Sequence, residues 1–306
     1  MKKYILSILS LITVLLFSSC DNFEGEQEIP AYIKVSGFNV VANPTYYIEQ
    51  GEDFLTNDIT DVWVYVDDNL LGAYSLPKDG SDLYIPILAE GKHRIDLEPG
   101  IKYNGMAATR DYYRFYTYSS DTLDLVAGET YDLGKKDVMY NSSAIFACTY
   151  FFEDSFTHFM NMPTASTIEQ PNNFTLISND SVKYGNGCLA MYSGSKDDTY
   201  KIMTRDSISC TNTYAMILEL DYHANIPFEV GLYGKVSSSA KDQAISVMRL
   251  KANNDKDWQK MYIILGKVWK QLDYNAFQLY FQPFNTNNIA NGYVHIDNIK
   301  VIHFPE

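Results

Sequence analysis

Short apolar–polar alternations, closely spaced turn clusters and the lack of any helical period beyond two turns predict an all-β chain. The spacing of the strands divides it into an N-terminal immunoglobulin-like β-sandwich over residues 31–137 and a C-terminal jelly-roll β-sandwich over residues 144–306.

Ahead of the first sandwich stand Met1-Lys2-Lys3, an apolar run from Ile5 to Phe17, and then Ser18-Ser19-Cys20. A basic start, a short apolar stretch and small residues before a cleavage position make residues 1–19 a secretory signal. The run is too short to cross a bilayer, which takes roughly 20 apolar residues. Residues 20–30 follow as an acidic tether, with Asp21, Glu24, Glu26 and Glu28, no base and no apolar period. In the first sandwich Ala31–Val35 alternates, and Val62–Val66 does so up to the turn cluster Asp67-Asp68-Asn69. Leu70 to Leu76 answers it as a hairpin partner, and strands are expected again at Leu83–Ile87, His93–Leu97, Tyr112–Tyr118 and Thr122–Val126. Polar Lys135–Ser143 marks the junction. Ile145–Phe152 opens the second sandwich, followed by Tyr214–Tyr222, Phe228–Tyr233, Ala244–Leu250, Met261–Leu265, Phe277–Phe281 and Tyr293–Ile302.

Removing residues 1–19 takes two of 24 bases and none of 38 acids, leaving 22 against 38 and a net charge of −16. Such a chain repels phosphate backbones, so nucleic acid is not an expected partner. Cys148, Cys188 and Cys210 allow one bridge at most and form no Cys-x-x-Cys pair, so they read as small buried residues. No Gly-x-Ser-x-Gly elbow, His-Glu-x-x-His helix or phosphate-cradling glycine loop is present. His295 and His303 alternate with apolar neighbours and read as strand residues rather than ligands. The expectation is a protein that is not an enzyme.

Sugars need aromatic faces to stack on, with amides and carboxylates for their hydroxyls. Strand parity supplies candidates. Met216, Leu218, Leu220 and Tyr222 share a core face, which turns Glu219 and Asp221 outward. Phe228, Val230 and Leu232 do the same for Glu229 and Tyr233, and Gln278 and Tyr280 are the outward pair of their strand. If these strands are neighbours, one face carries tyrosines and carboxylates together. Trp258 is expected to anchor the core and Trp269 to stand nearer a rim.

Leu16-Phe17-Ser18-Ser19-Cys20 resembles the lipobox of bacterial lipoproteins, which implies a diacylglycerol thioether on Cys20. The acids after Cys20 are similar to the export signal of surface lipoproteins in the Bacteroidota. Ile59–Asp67, Gly91–Ile95 and Pro99–Gly105 resemble a lipoprotein family of that phylum whose function is unassigned. Phe152-Glu153, Lys183–Leu189 and Val294–Ile299 are similar to carbohydrate-binding-module jelly rolls, although Lys183-Tyr184-Gly185 stands where those modules usually read His-Ser-Gly. That likeness implies a structural Ca²⁺ held by Glu153 and Asp297, with Asp154 as a further ligand, a set that suits a hard cation. Together the resemblances imply a lipid-anchored outer-membrane protein, facing the cell exterior, that binds glycan without catalysis. The alternative is an assembly component that binds another envelope protein, and a hydrolase ranks below both.

Overall fold

The structure, a computed structural model, describes residues 28–46, 50–152, 158–163, 174–179, 181–209, 215–234, 241–253, 257–269 and 276–305. The signal segment, Cys20, most of the tether, Glu153, Asp154 and Cys210 lie outside the described residues. Two sandwiches follow one another, as the sequence predicts.

The first is built from β1 (Ala31–Val40), β2 (Asp61–Val66), β3 (Asn69–Ser75), β4 (Leu83–Ile87), β5 (Gly91–Lys102), β6 (Arg110–Tyr112), β7 (Ser119–Leu125) and β8 (Thr130–Val138). One sheet runs β4-β1-β8, and the other runs β3-β2-β5 with β6 and β7 sharing the far edge of β5. β1 pairs antiparallel with β4 and parallel with β8. The β2–β3 hairpin closes on Val66 opposite Asn69, with Asp67 and Asp68 at φ 48° and 67°. Two consecutive left-handed residues make the turn whose twist matches that of its strands. The expected Tyr112–Tyr118 strand stops at Tyr112. Tyr113, Phe115 and Tyr116 are buried instead in an irregular segment, where a Tyr116 N–H to Tyr113 carbonyl bond folds the chain back.

The second sandwich begins with β9 (Ile145–Tyr150), β10 (Phe159–Asn161), β11 (Phe174–Ile177), β12 (Cys188–Ser193), β13 (Ile202–Thr204) and β14 (Ile208–Ser209). It continues through β15 (Ile217–Ala224), β16 (Phe228–Gly234), β17 (Gln243–Leu250), β18 (Gln259–Ile264), the short helix α1 (Gly266–Trp269), β19 (Ala276–Pro283) and β20 (Gly292–His303). One sheet runs β11-β12-β20-β15-β18 with β9 also on β20, and the facing sheet runs β10-β13-β19-β16-β17 with β14 also on β19. Between them lies an apolar core that includes Leu218, Leu220, Val230, Phe281 and Val301. Cys188 is a buried free thiol, and Cys148 is half-buried.

The sandwiches are joined by packing, not by a loose linker. β8 runs on to Val138, and Tyr140, inside the expected polar junction, is wholly buried. The first core extends into the second sandwich through Ile217, Tyr262 and Ile302. β1 fixes the long axis of the first sandwich. Its ten residues rise about 30 Å. Ala31 lies at one end, and Val40, paired with Val138, lies at the end next to the junction.

Candidate functional site

The outer face of the β11-β12-β20-β15-β18 sheet is divided. Its half nearest the first sandwich carries Glu219 and Asp221 from β15, Lys260 from β18, and Asn298 and Lys300 from β20, all buried. Lys300 Nζ lies 3.2 Å from Glu219 Oε2 and Lys260 Nζ 3.3 Å from the same oxygen. Lys260 also stands 3.4 Å from Asp221 Oδ2. The first sandwich closes the cluster. The Tyr113 hydroxyl donates to Glu219 Oε1, Tyr140 donates to Oε2 at 2.8 Å, and Lys300 donates to the Phe54 carbonyl at 2.6 Å. Thr56 Oγ1 donates to Asp221 at 2.7 Å and accepts from Lys260 at 2.9 Å.

Burial works against the ionised Glu219 carboxyl, but Lys300, Lys260 and the two phenols outweigh it and hold it below the usual range. Burial pulls Lys300 down to about 7, because Glu219 is its one close carboxylate, whereas Lys260 has two and is held up. This is an enclosed polar lock between the sandwiches. Glu219 and Asp221 therefore do not stand on a solvent face as parity suggested. Parity turned them away from the second core, but the first sandwich covers the side they turn to.

Nor do they share a face with the other expected ligand residues. β15 neighbours β18 and β20, not β16, and the chain crosses to the facing sheet between β15 and β16. That sheet does bring Glu229, Tyr233, Gln278 and Tyr280 together, with Tyr233 opposite Gln278 and Gly231 opposite Tyr280. Tyr280 is no open platform. Its ring lies across Gly231, where a Cβ would meet it at 2.2 Å, so only glycine fits there. Its hydroxyl donates to Glu229 Oε1 at 2.8 Å, Lys201 Nζ sits 4.8 Å from its ring centre, and Met162 and Met203 pack on it. The residue is 1% exposed, while Tyr233, Gln278 and Glu229 remain half-buried.

Of the expected calcium ligands, only Asp297 is among the described residues. It is buried, directly across the ladder from Asp221, and its Oδ1 accepts the Asn298 N–H at 2.7 Å. The Phe152 carbonyl lies against Gly187, 2.6 Å from where a Cβ would sit. A buried carboxylate oxygen fits the chemistry of a hard cation. Among the described residues no three His, Cys, Asp or Glu side chains gather around a metal position.

The open half of the divided face holds a cleft of about 650 Å³. Alternation builds it. Met191, Tyr222 and Val294 turn into the core, so Tyr192, His223, Tyr293 and His295 turn out. Tyr192 is opposite Tyr293, and His223 is opposite His295. The Tyr293 and His295 rings stack at 4.6 Å and 29°. Trp258, before β18, lies parallel to His295 at 6.4 Å and donates its indole N–H to the Ser181 carbonyl at 3.2 Å. At the rim Lys183 Nζ pairs with Asp257 Oδ2 at 2.7 Å, and Asp257 Oδ1 accepts the Trp258 N–H. His295 is 5% exposed, and its Nδ1 has no hydrogen-bond partner. Burial, then the His223 charge, lowers its pKa to about 4, so the ring is neutral at neutral pH.

Sequence reasoning missed this cleft, although His223 shares the parity of Glu219 and Asp221 and was within its reach. Trp258 and Trp269 stand the reverse of expectation. Trp269 is 1% exposed in the core, and Trp258 is a half-buried wall of the cleft.

No family model matches the chain, and no curated protein does. Several solved structures are similar to about half of it. The family 30 carbohydrate-binding module of a cellulosomal cellulase of Clostridium thermocellum is 15% identical, at TM-score 0.36, over 53% of this chain and 98% of its own. The family 11 module of the same organism, in complex with a β-1,3-1,4-mixed-linked tetrasaccharide, is 12% identical at TM-score 0.33 over 52% and 97%. The K2 cleaved adhesin domain of Lys-gingipain is 13% identical at TM-score 0.34 over 50% and 98%. By its own strands and sheets the chain is an all-β protein of two β-sandwiches.

Proposed function

We propose that this chain is a lipid-anchored, non-catalytic binding protein of the outer membrane whose second sandwich takes a glycan in the Trp258–Tyr293 cleft. The observation that carries the reading is the cleft's composition. Ring faces of Trp258, Tyr293 and Tyr192 surround a neutral, buried imidazole, under a rim where Lys183 and Asp257 reach solvent. Sugars offer C–H faces to rings and hydroxyls to such polar atoms. Asp297, with Glu153 and Asp154, would hold a structural Ca²⁺ near this sheet. The first sandwich serves as a spacer, since its N-terminal end and its junction lie at opposite ends of β1.

Trp258→Ala is expected to weaken glycan binding by roughly tenfold, about 1 kcal/mol or a little more for one lost aromatic contact. Titration of a glycan picked from an array measures it, and unchanged affinity in a folded variant removes the cleft from the reading. For the anchor, Cys20→Ala is expected to move the protein from the detergent phase to the aqueous phase, because the acyl attachment point is gone. Partitioning that stays with the detergent overturns the lipidated cysteine.

A second reading, a component that binds another envelope protein, is favoured by β3. This edge strand, Asn69–Ser75, carries no charge and exposes Leu70 and Leu71. Edges left so bare accept an added strand.

A further inference from the structure

A second cavity, of about 420 Å³, opens where the sandwiches meet. Its walls are apolar on both sides, with Phe115 from the first sandwich and Ile217 and Ile264 from the second. Its charged groups are two arginines and one aspartate. The whole chain has five arginines at a net charge of −14, and two of them, Arg110 and Arg114, line this cavity. The surrounding field repels anions, so a site that takes one needs such a local reversal of sign.

The two guanidiniums are held differently. Arg110, at the start of β6 and opposite Lys102, has its Nε 3.3 Å from buried Asp61 Oδ1, an ion pair that falls short of a hydrogen bond. Asp61 already accepts from Thr60 at 2.6 Å and Ser75 at 2.8 Å, so it places Arg110 without occupying the terminal nitrogens. Arg114 is exposed and makes no hydrogen bond or ion pair among the described residues. Its charge acts on the Tyr103 phenol, another lining group. Asp111 is the one carboxylate in the lining, and its Oδ1 is turned to the Tyr112 N–H at 2.9 Å.

We propose that this cavity binds an amphipathic monoanion, a carboxylate carrying an apolar chain. The carboxylate meets Arg114 and the terminal nitrogens of Arg110, whose planar forks match its two oxygens. The chain lies along Ile264 and Ala215, which the junction leaves half-buried, over a floor of buried Phe115 and Ile217. The site is independent of the glycan cleft, which lies on the other half of the sheet face.

Isothermal titration of the mature chain with decanoate, below its micellar concentration, tests the proposal beside decanol, butyrate and decyl phosphate. Saturable one-to-one binding of decanoate is expected, at least tenfold tighter than decanol or butyrate. Arg114→Gln, which removes no hydrogen bond or ion pair among the described residues, should weaken decanoate at least tenfold with an unchanged melting temperature. Trp258→Ala should leave it unaltered. The proposal is overturned if decanoate gives no saturable heat, if decanol binds as tightly, or if Arg114→Gln binds normally. Decyl phosphate binding more tightly than decanoate overturns the carboxylate as the ligand class.

Discussion

Glu219→Gln destabilises the folded chain by about 3–5 kcal/mol, the range for removing one partner of a buried ion pair. The carboxylate is 0% exposed and stands against two ammonium groups within 3.3 Å. The amide keeps the shape but has one accepting oxygen, so it takes the hydroxyl of only one of Tyr113 and Tyr140, and what is lost is charge and one acceptor rather than volume. Lys260 retains Asp221, but Lys300 retains no close carboxylate. The cost therefore falls on Lys300. Its pKa in the fold, about 7, is below the ordinary 10.5. Between those values the unfolded chain binds more protons, so stability contributed by this group rises with pH and is lost again as pH falls towards 7. Without Glu219 the folded pKa drops further, which carries the loss on to lower pH in the variant alone. Urea melts should then show a larger destabilisation at pH 6 than at pH 9. A change below about 1 kcal/mol, the usual worth of an exposed pair, or one that is flat with pH, would mean that the cluster is hydrated in solution.

What the sequence revealed and what it concealed both follow from the range of the interactions involved. The β2–β3 hairpin was legible because its turn is local, with Asp67 and Asp68 between alternating strands. The core face of β15 was legible because alternation has a period of two, and Leu218 and Leu220 are indeed in the core. Parity says which side a residue takes, not what lies on that side. Glu219, Asp221 and His223 share one face, yet the first two lie under another sandwich and the third lines an open cleft. That division depends on where Tyr113 and Tyr140 arrive, from positions 106 and 79 residues away in the chain. Tyr140 itself was hidden in a segment whose Lys-Lys-Asp and Asn-Ser-Ser read as a linker. The joint face of β15 and β16 failed for a similar reason, since a strand's neighbours are fixed by the whole topology, not by its own residues.

Trp269→Ala is expected to destabilise the chain by about 3 kcal/mol, the lower end of the range for a buried tryptophan. The ring is 1% exposed and meets Phe277 edge-on at 4.9 Å, while the backbone N–H of Trp269 closes α1 on the Leu265 carbonyl at 2.9 Å. Truncation leaves a cavity among Phe277, Leu265 and their core neighbours, which sheets on both sides keep from collapsing. One effect works the other way. The indole Nε1 is buried without a hydrogen-bond partner, and a group left so costs about 1–3 kcal/mol. Its removal returns part of what the cavity takes. Trp269→Phe separates the two, because it keeps most of the ring while deleting the N–H, and it should cost no more than about 1 kcal/mol. Denaturant melts of both variants measure this. A loss from Trp269→Phe as large as that from Trp269→Ala would show that the N–H finds a partner and that the fold depends on it rather than on ring packing. Trp258→Ala completes the comparison. Half-buried at the cleft, it should change stability by about 1 kcal/mol or less while carrying the loss of binding, so that one tryptophan maintains the fold and the other maintains the site.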